Sequence, residues 1–220
     1  MTRFVNVLLD LDGTVTDPFE GIAGCIRHAM RSLGMVPPGE EDLRSAVGPP
    51  LRQSFGRLLG VNDAGRIDEA MRLYRERFAV SGLYENRVYP GVPEMLAKLD
   101  AAGCSLFIAT SKPRIFAQRI MDHFALTKYF AGIYGSELDG AYENKSDLLR
   151  FLLKTERLDA RATALVGDRS HDMIPAKEHG LCAVGAAWGY GSAEELKEAG
   201  ADVICTDPAG VIRFLTKSAG

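Results

Sequence analysis

The run Phe4 to Leu9, apolar but for Asn6, passes directly into Asp10-Leu11-Asp12-Gly13-Thr14. An apolar segment of this length reads as a strand buried on both faces, as in parallel sheets covered by helices. Ligands of such sheets bind at the carboxyl ends of the strands, where this chain places two carboxylates at i and i+2. Period-2 alternation aims both the same way if the strand continues. Two carboxylates held that close repel, so a shared proton, a cation or a metal must compensate. An Asx turn or helix cap accounts for a single aspartate at a strand end. It does not account for two followed by Gly-Thr and then by Asp17, so the stretch reads as a site.

From Pro18 to about Gly82 the periodicity becomes helical. Ile22, Cys25, Ile26, Ala29, Met30 and Leu33 share one face of a helix that stops at Gly34. Shorter helices are predicted over Glu41–Val47 and Leu51–Leu59, the second entered through Pro49-Pro50, and a longer one over Asp63–Val80. The expectation is a four-helix cap, residues 18–82, inserted into a core formed by residues 1–17 and 83–220. Leaving and rejoining the core beside the Asp pair, such an insertion suits a lid that excludes water and sets specificity.

After the insertion, helices and strands alternate. Helices are predicted over Val92–Ala102, Ile115–Phe124, Lys145–Lys154, Asp172–His179, Ala193–Ala199 and Val211–Leu215. Strands are predicted over Cys104–Thr110, Gly132–Ser136, Thr163–Gly167, Cys182–Ala187 and Val203–Cys205. This rhythm predicts an α/β fold, a doubly wound parallel sheet. The last few residues are expected to fray.

Four strand ends or strand–helix loops then converge polar residues on one sheet edge. The first carries Asp10 and Asp12. The second carries Thr110 and Ser111 where a helix starts at Pro113, and free N–H groups there suit an anion, although plain capping explains the same residues. The third is Lys145, a cation opposing a helix dipole, which either answers a nearby anion or is simply solvated. The fourth is Gly167-Asp168-Arg169-Ser170-His171-Asp172, whose carboxylates at i and i+4 suit a hard divalent cation better than a cap.

Asp10-Leu11-Asp12-Gly13-Thr14-Val15-Thr16-Asp17 resembles the DxDGTxxD signature of the haloacid dehalogenase-like (HAD) hydrolases, specifically their phosphatases. The succession Asp10/Asp12, Thr110, Lys145 and Gly-Asp168-xxx-Asp172 is similar to the family's four motifs, and the helical insertion to its small cap. The resemblance implies a Rossmann-like core and a Mg²⁺-dependent phosphatase. It implies Asp10 as nucleophile and Asp12 as general acid and base. It implies Mg²⁺ held by Asp10, the Asp12 carbonyl and Asp168, with Asp172 in support. Thr110, the Ser111 backbone and Lys145 would grip the phosphoryl oxygens.

Asp12 argues against the dehalogenases of this fold, which have no leaving oxygen to protonate. An insertion without lysine excludes the Schiff-base phosphonate hydrolases, and His28 lies too late in its helix for a sugar phosphomutase. Gly48-Pro49-Pro50-Leu51, Tyr134-Gly135-Ser136 and Gly189-Tyr190-Gly191-Ser192 resemble the 5′-nucleotidase-like branch more than the related phosphoglycolate phosphatases. Arg52, beside the Gly-Pro-Pro turn, is a candidate contact for the distal end of a substrate, or a solvated surface arginine.

A net charge of −3 with no long basic run argues against nucleic acid, and no apolar run reaches membrane-spanning length. Cys25, Cys104, Cys182 and Cys205 lie far apart without a CxxC pair, which argues against a disulfide framework or a zinc site. Without a signal-peptide pattern at the start, the expectation is a cytoplasmic enzyme, monomer or homodimer, acting on a small-molecule phosphate monoester. The contrasting expectation is a non-catalytic member that binds phosphorylated ligands or a partner through the same cleft.

Overall fold

The computed structural model describes residues 4–60 and 63–217. The terminal residues 218–220, expected to fray, lie outside the described residues. Two compact units emerge, one of residues 1–17 and 88–220, the other of residues 18–87. Residues 83–87 thus fall with the helices rather than with the sheet.

In chain order, β1 (Asn6–Leu9) and β2 (Thr16–Asp17) lead into α1 (Phe19–Ser32), α2 (Glu40–Ser45), α3 (Leu51–Leu59) and α4 (Ala64–Arg77). After β3 (Arg87–Val88) come α5 (Val92–Ala101), β4 (Ser105–Pro113), α6 (Arg114–His123), β5 (Phe130–Ser136) and α7 (Lys145–Thr155). The chain continues through β6 (Thr163–Gly167), α8 (Ser170–Glu178), β7 (Cys182–Ala186), α9 (Ala193–Glu198), β8 (Val203–Cys205) and α10 (Pro208–Leu215).

Within the helical unit, α1 buries Ile22, Cys25, Ile26, Ala29 and Met30 and packs on α4. Asp63 caps α4 by accepting hydrogen bonds from the N–H groups of Gly65 and Arg66. The helical path continues beyond α4 as a wider turn over Phe78–Gly82. Gly21 is required there, because a Cβ would lie 2.0 Å from the Gly82 carbonyl oxygen. Tyr74 stacks on Phe78 at 5.4 Å and meets Phe55 edge-on at 6.1 Å, forming the aromatic centre of the unit.

The other unit is a parallel six-stranded sheet in the order β5-β4-β1-β6-β7-β8, flanked by helices, the doubly wound α/β arrangement expected. The all-buried run of β1 takes a central place, with Leu8 in register with Phe107 of β4 on one side and Leu165 of β6 on the other. Leu8, Phe107, Leu149, Leu152, Leu165, Met173 and Leu196 share one core cluster. Strand β4 runs to Pro113, beyond the predicted end at Thr110. Gly135 of β5 permits the extension, since a Cβ there would lie 2.4 Å from the Lys112 carbonyl oxygen. Among the described residues, no helix is long and apolar enough to cross a membrane.

Candidate active site

The Asp10 N–H donates to the Val166 carbonyl at 2.9 Å, carrying the β1–β6 ladder one residue past the strand before the chain turns away. Gly13 makes that turn at φ +88°, and a Cβ on it would lie 2.1 Å from Asp168 Oδ2. The first loop and the end of β6 therefore touch. Asp10, Asp168 and Asp172 are all buried and each offers a carboxylate oxygen within 4.8 Å of the other two. Asp172 is thus brought into the same cluster.

Lys145 is the first residue of α7, where Asn144 caps the helix by accepting from the N–H groups of Ser146 and Asp147. Its buried ammonium lies 2.5 Å from Asp172 Oδ1 and 2.9 Å from Asp10 Oδ1. The sequence left a solvated lysine open; the structure gives it two anions. Burial works against the Lys145 charge, but those carboxylates outweigh it and the net shift is upward. Asp10 Oδ1, within reach of this ammonium, has no hydrogen-bond partner in acceptable geometry.

Burial, then the charges of Asp172 and Asp10, push the Asp168 carboxyl well above the ordinary carboxylate range. Burial likewise raises Asp172, to about 6, against the pull of Lys145. Three clustered carboxylates, only two of them paired with Lys145, favour protonation unless a further cation is shared. The all-oxygen donor set and the unsatisfied Asp10 oxygen fit a hard divalent cation such as Mg²⁺.

Asp12 has a different neighbour. Lys112 Nζ lies 2.6 Å from each of its carboxylate oxygens, and both side chains are nearly buried. Burial raises the Asp12 carboxyl, Lys112 opposes it, and the net direction is up. Lys112 received no role from the sequence. Its place directly after Thr110-Ser111 was the available signal. Thr110 is buried two residues beyond Ile108, the register partner of Leu9, and its Oγ1 accepts from the Lys112 N–H at 3.3 Å. Ser111 follows it, its carbonyl accepting from Ser136 Oγ at 2.9 Å. Arg52 belongs to the helical unit, where its exposed guanidinium is paired with Asp68.

The loop after β7, read in the sequence only as a branch resemblance, also reaches the first motif and Asp168. The Tyr190 N–H donates to Asp168 Oδ2 at 2.8 Å, the Tyr190 hydroxyl donates to Asp17, and Trp188 Nε1–H donates to the Thr14 carbonyl at 3.0 Å.

A strand-end cluster of this kind on this sheet order defines a class of hydrolase. The model of the haloacid dehalogenase-like hydrolases matches residues 7–186, and the chain belongs to that family as a phosphatase. It is 45% identical over 213 residues to a 5′-nucleotidase of Pseudomonas aeruginosa, covering 97% of this chain and 96% of that protein. It is 35% identical over 198 residues to the tyrosine-protein kinase PtkA of Mycobacterium tuberculosis, covering 90% of this chain and 67% of that one. The crystal structure of a predicted phosphatase from Clostridium acetobutylicum superposes with a TM-score of 0.91 at 36% identity, covering 96% and 97% of the two chains.

Proposed function

We propose that this phosphatase is a Mg²⁺-dependent hydrolase of small phosphate monoesters that works through a phosphorylated Asp10, with nucleoside monophosphates as its preferred class. The observation that carries the chemistry is the buried Asp10–Asp168–Asp172 cluster with Lys145 bridging two of its members. The nucleotide preference rests on the 5′-nucleotidase relative, which matches along nearly the whole of both chains.

Asp10 attacks phosphorus with its carboxylate oxygen and the ester oxygen leaves, taking its proton from Asp12. The upward shift of Asp12 runs in the direction a proton donor needs. Asp12 then takes a proton from the water that attacks the aspartyl phosphate, releasing phosphate and restoring Asp10. Lys145, the Thr110 hydroxyl and the Ser111 N–H hold the phosphoryl oxygens as their charge redistributes. Asp10, Asp168 and Asp172, with the Asp12 carbonyl, would hold Mg²⁺, which when bound offsets the repulsion between a carboxylate and a phosphate dianion. In the same proposal the enzyme is cytoplasmic, a monomer or homodimer, and uses no nucleic acid or membrane partner.

The test is phosphate release from AMP, IMP, phosphoglycolate and sugar phosphates with Mg²⁺ and after EDTA, beside ATP with a tyrosine acceptor. Mg²⁺-dependent release, fastest from the nucleotides, is the expected result. Strong preference for phosphoglycolate overturns the nucleotide assignment. Transfer to tyrosine without hydrolysis, or no turnover anywhere in the panel, overturns the hydrolytic mechanism.

A further inference from the structure

Asp168 stands at the end of β6, and nothing in its own strand fixes the rotation of its carboxylate. The loop of residues 187–191 does. The Tyr190 N–H holds Oδ2 at 2.8 Å, the Gly191 N–H donates to the Asp168 carbonyl at 3.1 Å, and Thr14 Oγ1 reaches Oδ1 at 3.5 Å. The loop is pressed so close that a Cβ on Gly189 would lie 2.3 Å from Asp168 Cβ and 2.4 Å from the Gly13 carbonyl oxygen. One glycine thus wedges between the first and fourth motifs.

On either side of that wedge a side chain ties the loop to the first motif. Trp188 Nε1–H donates to the Thr14 carbonyl, and the Tyr190 hydroxyl donates to Asp17 Oδ1. Both anchors span more than 170 positions of sequence, 174 and 173 respectively. They make one rigid path from Thr14 and Asp17 through the loop to the Asp168 carboxylate. No residue of the loop carries a carboxylate or imidazole, so its contribution is placement.

We propose that Trp188 and Tyr190 are positioning residues that hold Asp168 in register with Asp10, and through that spacing set the affinity of the carboxylate cluster for its divalent cation. The inference rests on the proposal that the cluster binds such a cation. Groups that orient metal ligands from behind typically change metal affinity by about 10–100-fold when removed. Trp188→Phe removes one N–H and Tyr190→Phe one hydroxyl, and each keeps most of the ring that packs.

The experiment is Mn²⁺ binding to the full chain without substrate, read from the electron paramagnetic resonance of the free ion, with Mg²⁺ competition. The parent should bind one ion and Asp168→Asn should lose it. Each tether variant should bind roughly tenfold more weakly, with its KM at saturating Mg²⁺ within about twofold of the parent. Asp17→Ala, which removes the acceptor, should match Tyr190→Phe, and the double variant should be no worse than either alone, because both cut the same link. Parent-like Mn²⁺ affinity in both tether variants, even with lower melting temperatures, makes the loop a packing element only and overturns the proposal. A parent that binds no ion overturns the cation reading as well, so the two failures are separable.

Discussion

Asp12 and Asp10 stand two residues apart, yet each meets its own lysine. Asp12 has Lys112 on both oxygens, whereas Asp10 offers Oδ1 to Lys145 without a satisfied hydrogen bond. Replacing Asp10 by Asn keeps the shape and removes the attacking charge. Turnover of AMP should fall at least about a thousandfold with the fold intact by circular dichroism. Retained turnover would move the nucleophile elsewhere. Lys112→Met keeps the aliphatic stem and leaves the Asp12 carboxyl buried without its cation. Breaking a buried pair in this way costs about 3–5 kcal/mol when the remaining charge stays ionised. Protonation offers Asp12 an escape, which fixes the sign of the pH dependence. A carboxyl whose folded pKa is raised contributes stability that is complete below the unfolded value near 3.8 and is lost as pH rises through the folded value. The Lys112→Met deficit in urea unfolding should therefore be largest at pH 8 and shrink on acidification. An equal deficit at pH 8 and pH 5 would reduce Lys112 to packing.

The elements of the core unit bring these side chains together by ending where they do. Helix α7 places Lys145 at its first position, against the dipole, and the Asn144 cap offsets part of that conflict. Asn144→Ala should lower stability by about 1 kcal/mol in urea unfolding and reduce kcat, while Asn144→Asp should restore most of both. Loss of stability with unchanged kcat would show that the cap does not place Lys145. What could be read from the chain divides along the same line. Asp10, Asp12, Asp168 and Asp172 were legible because each pair is spaced within a few residues of a strand end. The parallel sheet was legible because helices and apolar runs alternate. Lys112 and Tyr190 were not, since their partners lie 100 and 173 positions away and only the sheet order brings them near. Arg52 shows the converse. Exposed and paired with Asp68, it has a partner 16 positions on that local spacing does not show.

Across the molecule, the proposed metal couples folding to proton binding. Its ligands come from the first loop, the end of β6 and the first turn of α8, so one ion would join residues 10 to 172 of the core unit. Without a cation, burial raises Asp168 and Asp172, the latter to about 6. Their contribution to the stability of the metal-free protein is therefore complete below the unfolded value near 3.8 and is lost as pH rises through the folded values. Mg²⁺ binds the ionised carboxylates and displaces those protons, so its stabilisation runs in the opposite direction with pH. At a concentration one hundred times its Kd, a ligand specific for the native state adds about 2.7 kcal/mol. The Mg²⁺-induced rise in Tm over EDTA-treated protein should accordingly be small near pH 5 and grow toward pH 8, and Asp168→Asn should abolish it at both. A rise that is the same at pH 5 and pH 8, or that survives Asp168→Asn, would mean the ion binds away from these carboxylates and that their protons are not displaced on binding.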